Sequence, residues 1–67
     1  MFVMMKHDCS GGYPGEVTCL GIFSDRNKAW NAVAEDCDEQ IDEDSMHVGE
    51  FVADEITYIL EQKDVVL

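Results

Sequence analysis

A glycine-rich segment, Ser-Gly-Gly-Tyr-Pro-Gly at residues 10–15, most strongly limits how this chain can fold. Glycine tolerates positive φ and proline fixes φ, so such a segment turns the chain instead of continuing a strand or a helix. Residues 2–7 before it and residues 16–23 after it are rich in β-branched, aromatic and other apolar side chains. Two strand-like segments joined by a short turn predict an antiparallel hairpin.

Both predicted strands carry apolar residues at odd and at even positions. A strand with one solvated face alternates between apolar and polar residues, whereas a strand covered on both sides does not. We therefore expect the hairpin to be covered on two sides, or to have an open face that meets another chain.

A helix is predicted over residues 25 to about 40. Ser24 stands at the N-cap position, and Asp25 falls in the first turn, where a carboxylate complements the helix dipole. Apolar residues then recur at spacings of three and four and predict one buried stripe: Ala29, Trp30, Val33, Ala34, Cys37 and Ile41. No Gly or Pro marks the end of the helix, so the sequence allows an end anywhere between residues 38 and 44.

After a polar connection, residues 48–60 are rich in β-branched and aromatic types and predict a third strand. A helix over residues 54–62 remains the alternative, and the apolar tail at residues 65–67 is expected to add an edge strand or to pack against the helix. The order strand, strand, helix, strand predicts an α+β fold, a small antiparallel sheet of about three strands with one helix packed on one face. Residues 1–67 suffice for a single domain with a modest core.

Three strands and one helix leave too little interior for all the apolar residues of this chain. We therefore expect the second face of the sheet to be bare and to serve homodimerisation or partner binding.

The charge of the chain limits its partners. Fifteen Asp and Glu residues against four Lys and Arg give a formal net charge of −11. Long-range repulsion disfavours direct binding to nucleic acid or to an anionic membrane and favours a basic partner. Ten of the acids lie between residues 35 and 55, where the chain has no Lys or Arg, and they are the candidate partner-binding residues: Glu35, Asp36, Asp38, Glu39, Asp42, Glu43, Asp44, Glu50, Asp54 and Glu55.

If the helix continues to about Asp42, four of these acids form one stripe opposite the apolar one: Glu35, Asp38, Glu39 and Asp42. A solvated face that keeps a protein soluble is the simplest interpretation of an acidic run. However, like charges at i, i+4 cost about 0.2 to 0.5 kcal/mol, and carboxylates near a helix C-terminus cost about 0.3 to 1 kcal/mol each. This cost favours a negative surface that is itself functional.

Carboxylates on neighbouring helical turns lie about 5 to 6 Å apart, and phosphates follow each DNA strand at about 3.4 Å. We therefore predict that the acidic helix, extended by Glu50, Asp54 and Glu55, occupies a Lys/Arg-lined channel that normally holds nucleic acid. In size, charge and layout, with no shared residue string, the chain resembles the small acidic proteins by which phages disable host defence, the anti-CRISPR and anti-restriction DNA mimics. The resemblance implies an inhibitor in the host cytoplasm that competes with DNA or RNA for a nuclease or CRISPR-Cas effector.

A more local resemblance concerns residues 20–29, Leu-Gly-Ile-Phe-Ser-Asp-Arg-Asn-Lys-Ala. They look like the strand-to-helix junction of small phage and bacterial domains ordered strand, strand, helix, strand. This resemblance implies the fold and assigns no activity.

Other chemistries fit the residues less well. An EF-hand over residues 36–49 fails, because neither register puts Gly and the final Glu where calcium binding needs them. Three cysteines without a Cys-x-x-Cys pair predict neither a structural zinc site nor a disulfide framework, and they fit a reducing cytoplasm. His7 and Cys9, two positions apart on a strand, are expected about 6 to 7 Å apart, too far for a nucleophile and its base.

We therefore expect a protein that is not an enzyme and needs no cofactor or metal. The alternative function is a small structural or assembly module, dimeric through its sheet, whose acidity serves solubility. No segment approaches the roughly 18 to 20 apolar residues that cross a bilayer.

Overall fold

The computed structural model describes residues 1–63. Its elements follow in the order β1 (Phe2–Asp8), β2 (Glu16–Phe23), α1 (Arg26–Cys37), α2 (Glu43–Val48), β3 (Glu50–Ala53) and β4 (Ile56–Gln62). The strands form one antiparallel sheet in the spatial order β2-β1-β4-β3. The predicted α+β class is confirmed, with four strands in place of about three and two helices in place of one.

The predicted hairpin is formed by β1 and β2, with Phe2 opposite Phe23 and Asp8 opposite Glu16. The register shifts between Met4 and Met5, which leaves Leu20 as an extra residue on β2. A bulge of this kind changes the face of the sheet towards which side chains of the bulged strand point. Leu20 and Phe23, three positions apart, consequently both pack against the core, which strict alternation would not allow.

The segment predicted as one strand over residues 48–60 is divided into β3 and β4. Asp54 and Glu55 form the turn between them, and Asp54 adopts a φ of 55°, a conformation that Asp adopts more readily than most residues. The helical alternative for residues 54–62 is wrong, because β4 pairs with β1 in the middle of the sheet. The predicted tail at residues 65–67 lies outside the described residues.

The first helix, α1, begins and ends slightly differently from the prediction. Its N-cap is Asp25 and not Ser24, since the Asp25 carboxylate accepts a hydrogen bond from the Asn27 amide at 2.7 Å. The helix ends at Cys37 because Asp38 takes the left-handed conformation, with φ of 55°, and donates its amide proton to the Ala34 carbonyl. This end lies one residue before the earliest position that the sequence allowed.

A second helix, α2, occupies part of the predicted polar connection. Asp42 is its N-cap, and the Asp42 carboxylate accepts hydrogen bonds from the Ser45 amide at 3.1 Å and the Ser45 hydroxyl at 2.7 Å. Gly49 ends the helix at a φ of 89°. An N-cap residue, Asp42, and a helix-ending glycine, Gly49, can both be recognised in the sequence, but six residues are too few to show helical periodicity.

The core lies between α1 and one face of the sheet. Met4 of β1 and Tyr58 of β4 are fully buried there. The predicted apolar stripe is confirmed on α1, where buried Ala29, Trp30 and Val33 are joined by partly buried Ala34 and Cys37. Ile41 is also buried, but it lies beyond the end of the helix, so its predicted place on the helical stripe is wrong. Among residues 1–63, no helix is long and apolar enough to span a membrane.

The other face of the sheet carries the residues that alternate with the core-facing ones. Within residues 1–63 no helix or strand covers it. We call it the open face and define it by the residues that the register places there: Val3, Met5, His7, Val17, Cys19, Ile22, Glu50, Val52, Thr57, Ile59 and Glu61.

Candidate acidic interface

The end of α1 at Cys37 breaks the predicted acidic stripe. Only Glu35 and Asp36 of the ten candidate acids lie on α1, while Asp38 and Glu39 follow its end. Asp42 belongs to the next helix as its N-cap. The prediction of one helical stripe is therefore wrong, because the left-handed conformation of Asp38 redirects the chain before the stripe can continue.

The dipole cost that the sequence suggested applies to only half of these acids. Asp42 caps the N-terminus of α2, and Glu43 and Asp44 lie in its first turn, where negative charge is stabilising. Glu35, Asp36, Asp38 and Glu39 stand at or just beyond the C-terminus of α1, and Glu50 follows the C-cap of α2. A functional role of these acids is therefore indicated by their exposure and not by the cost of placing them.

Four acids meet around an open groove of about 690 Å³, which we call the acidic groove. The end of α1 contributes Asp36 and Glu39, and the turn between β3 and β4 contributes Asp54 and Glu55. The Cys9 amide donates a hydrogen bond to the Glu55 carbonyl at 2.9 Å and holds the turn beside the end of β1. The fold thus brings together carboxylates that lie up to 19 positions apart in the sequence.

A second open groove, of about 420 Å³, lies between α2 and β3 and is lined by three further acids, Asp42, Asp44 and Glu50. Glu50 stands opposite Ile59 at the edge of the sheet, and this register places it on the side of the open face. The remaining candidates, Glu35, Asp38 and Glu43, line neither groove. Seven of the ten acids therefore line one of the two grooves, and three lie elsewhere.

Asp36 is the one candidate acid with an ion-pair partner within residues 1–63. Its Oδ2 accepts hydrogen bonds from Lys6 Nζ at 2.7 Å and from the Tyr58 hydroxyl at 2.6 Å, and its side chain is 28% exposed. These two hydrogen bonds lower the pKa of Asp36, and the Lys6 bond in turn raises the pKa of Lys6. Burial, followed by the bond to Asp36, raises the pKa of Tyr58. Asp36 thus links α1 to β1 and β4.

Asp38 and Asp42 also have roles in the backbone. Hydrogen bonds from Ser45 lower the pKa of Asp42, which caps α2. Asp38 occupies a left-handed position that Gly or Asn usually takes. Substitutions at these two positions would therefore alter local structure together with surface charge.

The other acids are free of such contacts. Within residues 1–63 the ion pairs are Lys6 with Asp36 and Lys63 with Glu61, the latter at 3.3 Å. Arg26 donates to the Met46 carbonyl at 2.7 Å instead of pairing with a carboxylate. Eight candidate acids are exposed and make no side-chain hydrogen bond to the described residues: Glu35, Asp38, Glu39, Glu43, Asp44, Glu50, Asp54 and Glu55.

His7 and Cys9 lie closer than expected, with Cys9 Sγ 3.3 Å from His7 Nε2. The expected spacing of 6 to 7 Å is wrong because β1 ends at Asp8, so Cys9 leaves the extended strand. His7 Nε2 also lies 2.6 Å from the Pro14 carbonyl oxygen. A carbonyl oxygen only accepts, so this contact fits a proton on His7 Nε2, the tautomer in which that nitrogen does not accept from the Cys9 thiol.

The described residues offer no metal centre. Within residues 1–63, no three side chains of His, Cys, Asp or Glu come close enough together to hold a metal ion. Cys9, Cys19 and Cys37 are free thiols.

The resemblance to small acidic phage proteins is one of size, charge and layout. The geometry of the two grooves does not test this resemblance. The resemblance stays a prediction, because it includes no residue motif that the structure could locate. No protein-family model, no curated protein and no solved structure matches this chain.

Proposed function

We propose that this chain is a small acidic protein-binding inhibitor or regulator that occupies a basic nucleic-acid-binding surface of another protein. The observation that carries the proposal is the set of eight exposed acids with no ion pair or side-chain hydrogen bond within residues 1–63. Their charge is uncompensated and available to the Lys and Arg side chains of a partner.

The acidic groove is the proposed centre of contact. Glu39, Asp54 and Glu55 converge there from two elements, so a basic side chain entering the groove would meet several carboxylates at once. Carboxylates grouped in this way take the place of phosphates, which supports imitation of nucleic-acid charge. By the resemblance in size and charge, the proposed partner is a host nuclease or a CRISPR-Cas effector.

A second candidate function, a small assembly module, is favoured by a different observation. The open face exposes Val17, Ile22 and Val52 by about 60% each. Apolar side chains exposed on an uncovered sheet face are typical of a surface that contacts another chain. In this case the acids would serve solubility.

The test of the inhibitor proposal compares two double variants with equal charge. Glu39→Lys with Glu55→Lys changes the acidic groove, and Glu16→Lys with Glu61→Lys changes exposed acids outside the ten candidates. Each double variant moves the formal net charge from −11 to −7, since every Glu→Lys change adds two charges. The exposed ion pair between Glu61 and Lys63 contributes only about 0 to 1 kcal/mol to the free energy of unfolding, so losing it leaves the control variant folded.

Both variants and the parent chain are immobilised and incubated with lysate of the organism in which the gene occurs. We expect the parent and the control to retain a nucleic-acid-binding enzyme that added DNA or RNA displaces, and the groove variant to bind it at least about ten-fold more weakly. Retention should fall between about 0.1 and 0.5 M NaCl, because salt screens exposed charges. Equal retention by both variants, or retention that salt does not change, would contradict the proposal.

A further inference from the structure

The groove between α2 and β3, which we call the α2–β3 groove, has an apolar lining. Val48 of α2 and Val52 of β3 line it and are 74% and 59% exposed, and Phe51, which is partly buried, lines it as well. Because β3 is an edge strand, the groove opens at the rim of the sheet. It therefore offers aliphatic and aromatic surface to another molecule.

Carboxylates stand at both ends of α2 beside this lining. Asp44 lies in the first turn of the helix, and Glu50 follows Gly49, the residue that ends it. At about 1.5 Å of rise per residue, positions 44 and 49 are about 7.5 Å apart along the helix axis. Asp44 and Glu50 are exposed and make no ion pair within residues 1–63, so both oxygens of each carboxylate are open to a partner.

Arginine is the side chain whose chemistry matches every part of this lining. Its guanidinium forms two parallel hydrogen bonds with a carboxylate and also contacts aromatic rings, while its aliphatic stem covers apolar surface. A lysine ammonium lacks the planar fork. A metal ion is bound by oxygen atoms and gains nothing from valine and phenylalanine side chains.

The arginine must come from another protein. The chain has one arginine, Arg26, and it donates to the Met46 carbonyl at 2.7 Å. A second copy would also bring a net charge of −11 to a groove that is already acidic. The same charge attracts a basic partner.

We propose that the α2–β3 groove binds an arginine side chain of a basic partner protein, with the guanidinium at the carboxylates of Asp44 and Glu50 and the stem on Val48 and Val52. This contact is separate from the acidic groove. The inference rests on the proposed function in one respect, that the partner is basic, and it adds which side chain the partner presents.

The test uses two capped peptides as probes. One is Gly-Arg-Gly-Arg-Gly, and the other replaces each arginine by an analogue whose guanidinium is attached through a single methylene, which keeps the charge and shortens the stem. Methyl NMR titration at low ionic strength measures the dissociation constants and locates the site. Val48 and Val52 report on the α2–β3 groove, and Ala53 and Ile56 report on the acidic groove.

We expect the arginine peptide to shift the methyl signals of Val48 and Val52. It should bind at least about four-fold more tightly than the short-stem peptide, because each arginine has two more methylenes to place on the apolar lining. Equal dissociation constants for the two peptides, or shifts confined to Ala53 and Ile56, would overturn the proposal.

Two double variants of equal charge test the carboxylates. Asp44→Asn with Glu50→Gln changes the α2–β3 groove, and Glu16→Gln with Glu35→Gln changes exposed acids that line neither groove. Each substitution removes one negative charge, so both double variants move the formal net charge from −11 to −9. We expect the groove variant to bind the arginine peptide at least about five-fold more weakly and the control less than about two-fold. Equal weakening by the two variants would contradict the proposal.

The outcome is distinguishable from that of the inhibitor test. Salt-sensitive capture of a nucleic-acid-binding enzyme from lysate, together with no peptide binding at the α2–β3 groove, overturns this inference alone. Peptide binding at the α2–β3 groove, together with capture that salt does not change, overturns the inhibitor proposal alone.

Discussion

Asp36 and the acidic groove residues Glu39 and Glu55 lie near one another but differ in what surrounds their carboxylates. Asp36 accepts hydrogen bonds from Lys6 and Tyr58 and joins α1 to the sheet. Glu39 and Glu55 are exposed and have no side-chain hydrogen bond within residues 1–63. The comparison teaches that an acidic run contains two kinds of carboxylate, those that hold the fold together and those that are available to a partner. Stability measurements distinguish the two kinds.

The largest effect is expected for Asp36→Ala. The substitution removes two charge-assisted hydrogen bonds and leaves the largely buried Tyr58 hydroxyl without its acceptor, so the free energy of unfolding should fall by about 2 kcal/mol. Urea unfolding followed by the fluorescence of Trp30, which is 2% exposed, measures the change. A loss below about 0.5 kcal/mol would remove the distinction between Asp36 and the groove acids.

The pH dependence provides the control for this prediction. The pKa of Asp36 is lowered in the folded protein, so its stabilisation is complete above the pKa of the unfolded chain, about 3.9, and is lost as pH falls through the lower folded value. The stability difference between the parent chain and Asp36→Ala should therefore be largest near neutral pH and should shrink below about pH 4. A difference that stays constant down to pH 2 would point to a cause other than the charged carboxylate.

The next largest effect is expected for Asp42→Ala. Losing the N-cap of α2 removes the acceptor for the Ser45 amide and should lower the free energy of unfolding by about 1 kcal/mol. Asp44→Ala is the matched control, because it removes the same charge from the first turn of α2 without removing the cap. Equal losses for the two variants would mean that charge near the helix N-terminus, and not capping, makes the contribution.

The smallest effect is expected for Glu39→Gln with Glu55→Gln in the acidic groove. Neither carboxylate has a partner to lose within residues 1–63, and removing two like charges relieves repulsion, so the free energy of unfolding should stay within about 0.5 kcal/mol or rise slightly. The same urea experiment measures the change. A loss above about 1 kcal/mol would place these two residues with Asp36 among the carboxylates that hold the fold together.

Local patterns in the sequence were enough to predict the hairpin, the apolar stripe of α1 and the α+β class. Each depends on residues close in sequence: a turn segment between two strands, or apolar side chains at spacings of three and four. The split of the third strand was missed because the apolar pattern continues on both sides of Asp54 and Glu55, and only the positive φ of Asp54 reveals the turn.

The ten candidate acids are evident in the sequence from their density, and their role as a site stays a prediction. Their grouping depends on the left-handed conformation of Asp38 and on the hydrogen bond between Cys9 and Glu55, residues 46 positions apart. The links of Asp36 to Lys6 and Tyr58 likewise join three elements. Contacts of this range leave no periodic signal in a single sequence.

Met1 and Lys63 exchange hydrogen bonds at the ends of β1 and β4, the Met1 amino group donating to the Lys63 carbonyl at 3.0 Å and the Lys63 amide to the Met1 carbonyl at 2.9 Å. These residues lie at the end of the sheet opposite to the turn at Asp54 and Glu55, about 20 Å away along the strands. A fusion tag or surface tether attached before Met1 would thus leave the chain far from the carboxylates of the acidic groove. The protein can be immobilised by this end with its anionic side facing the solution.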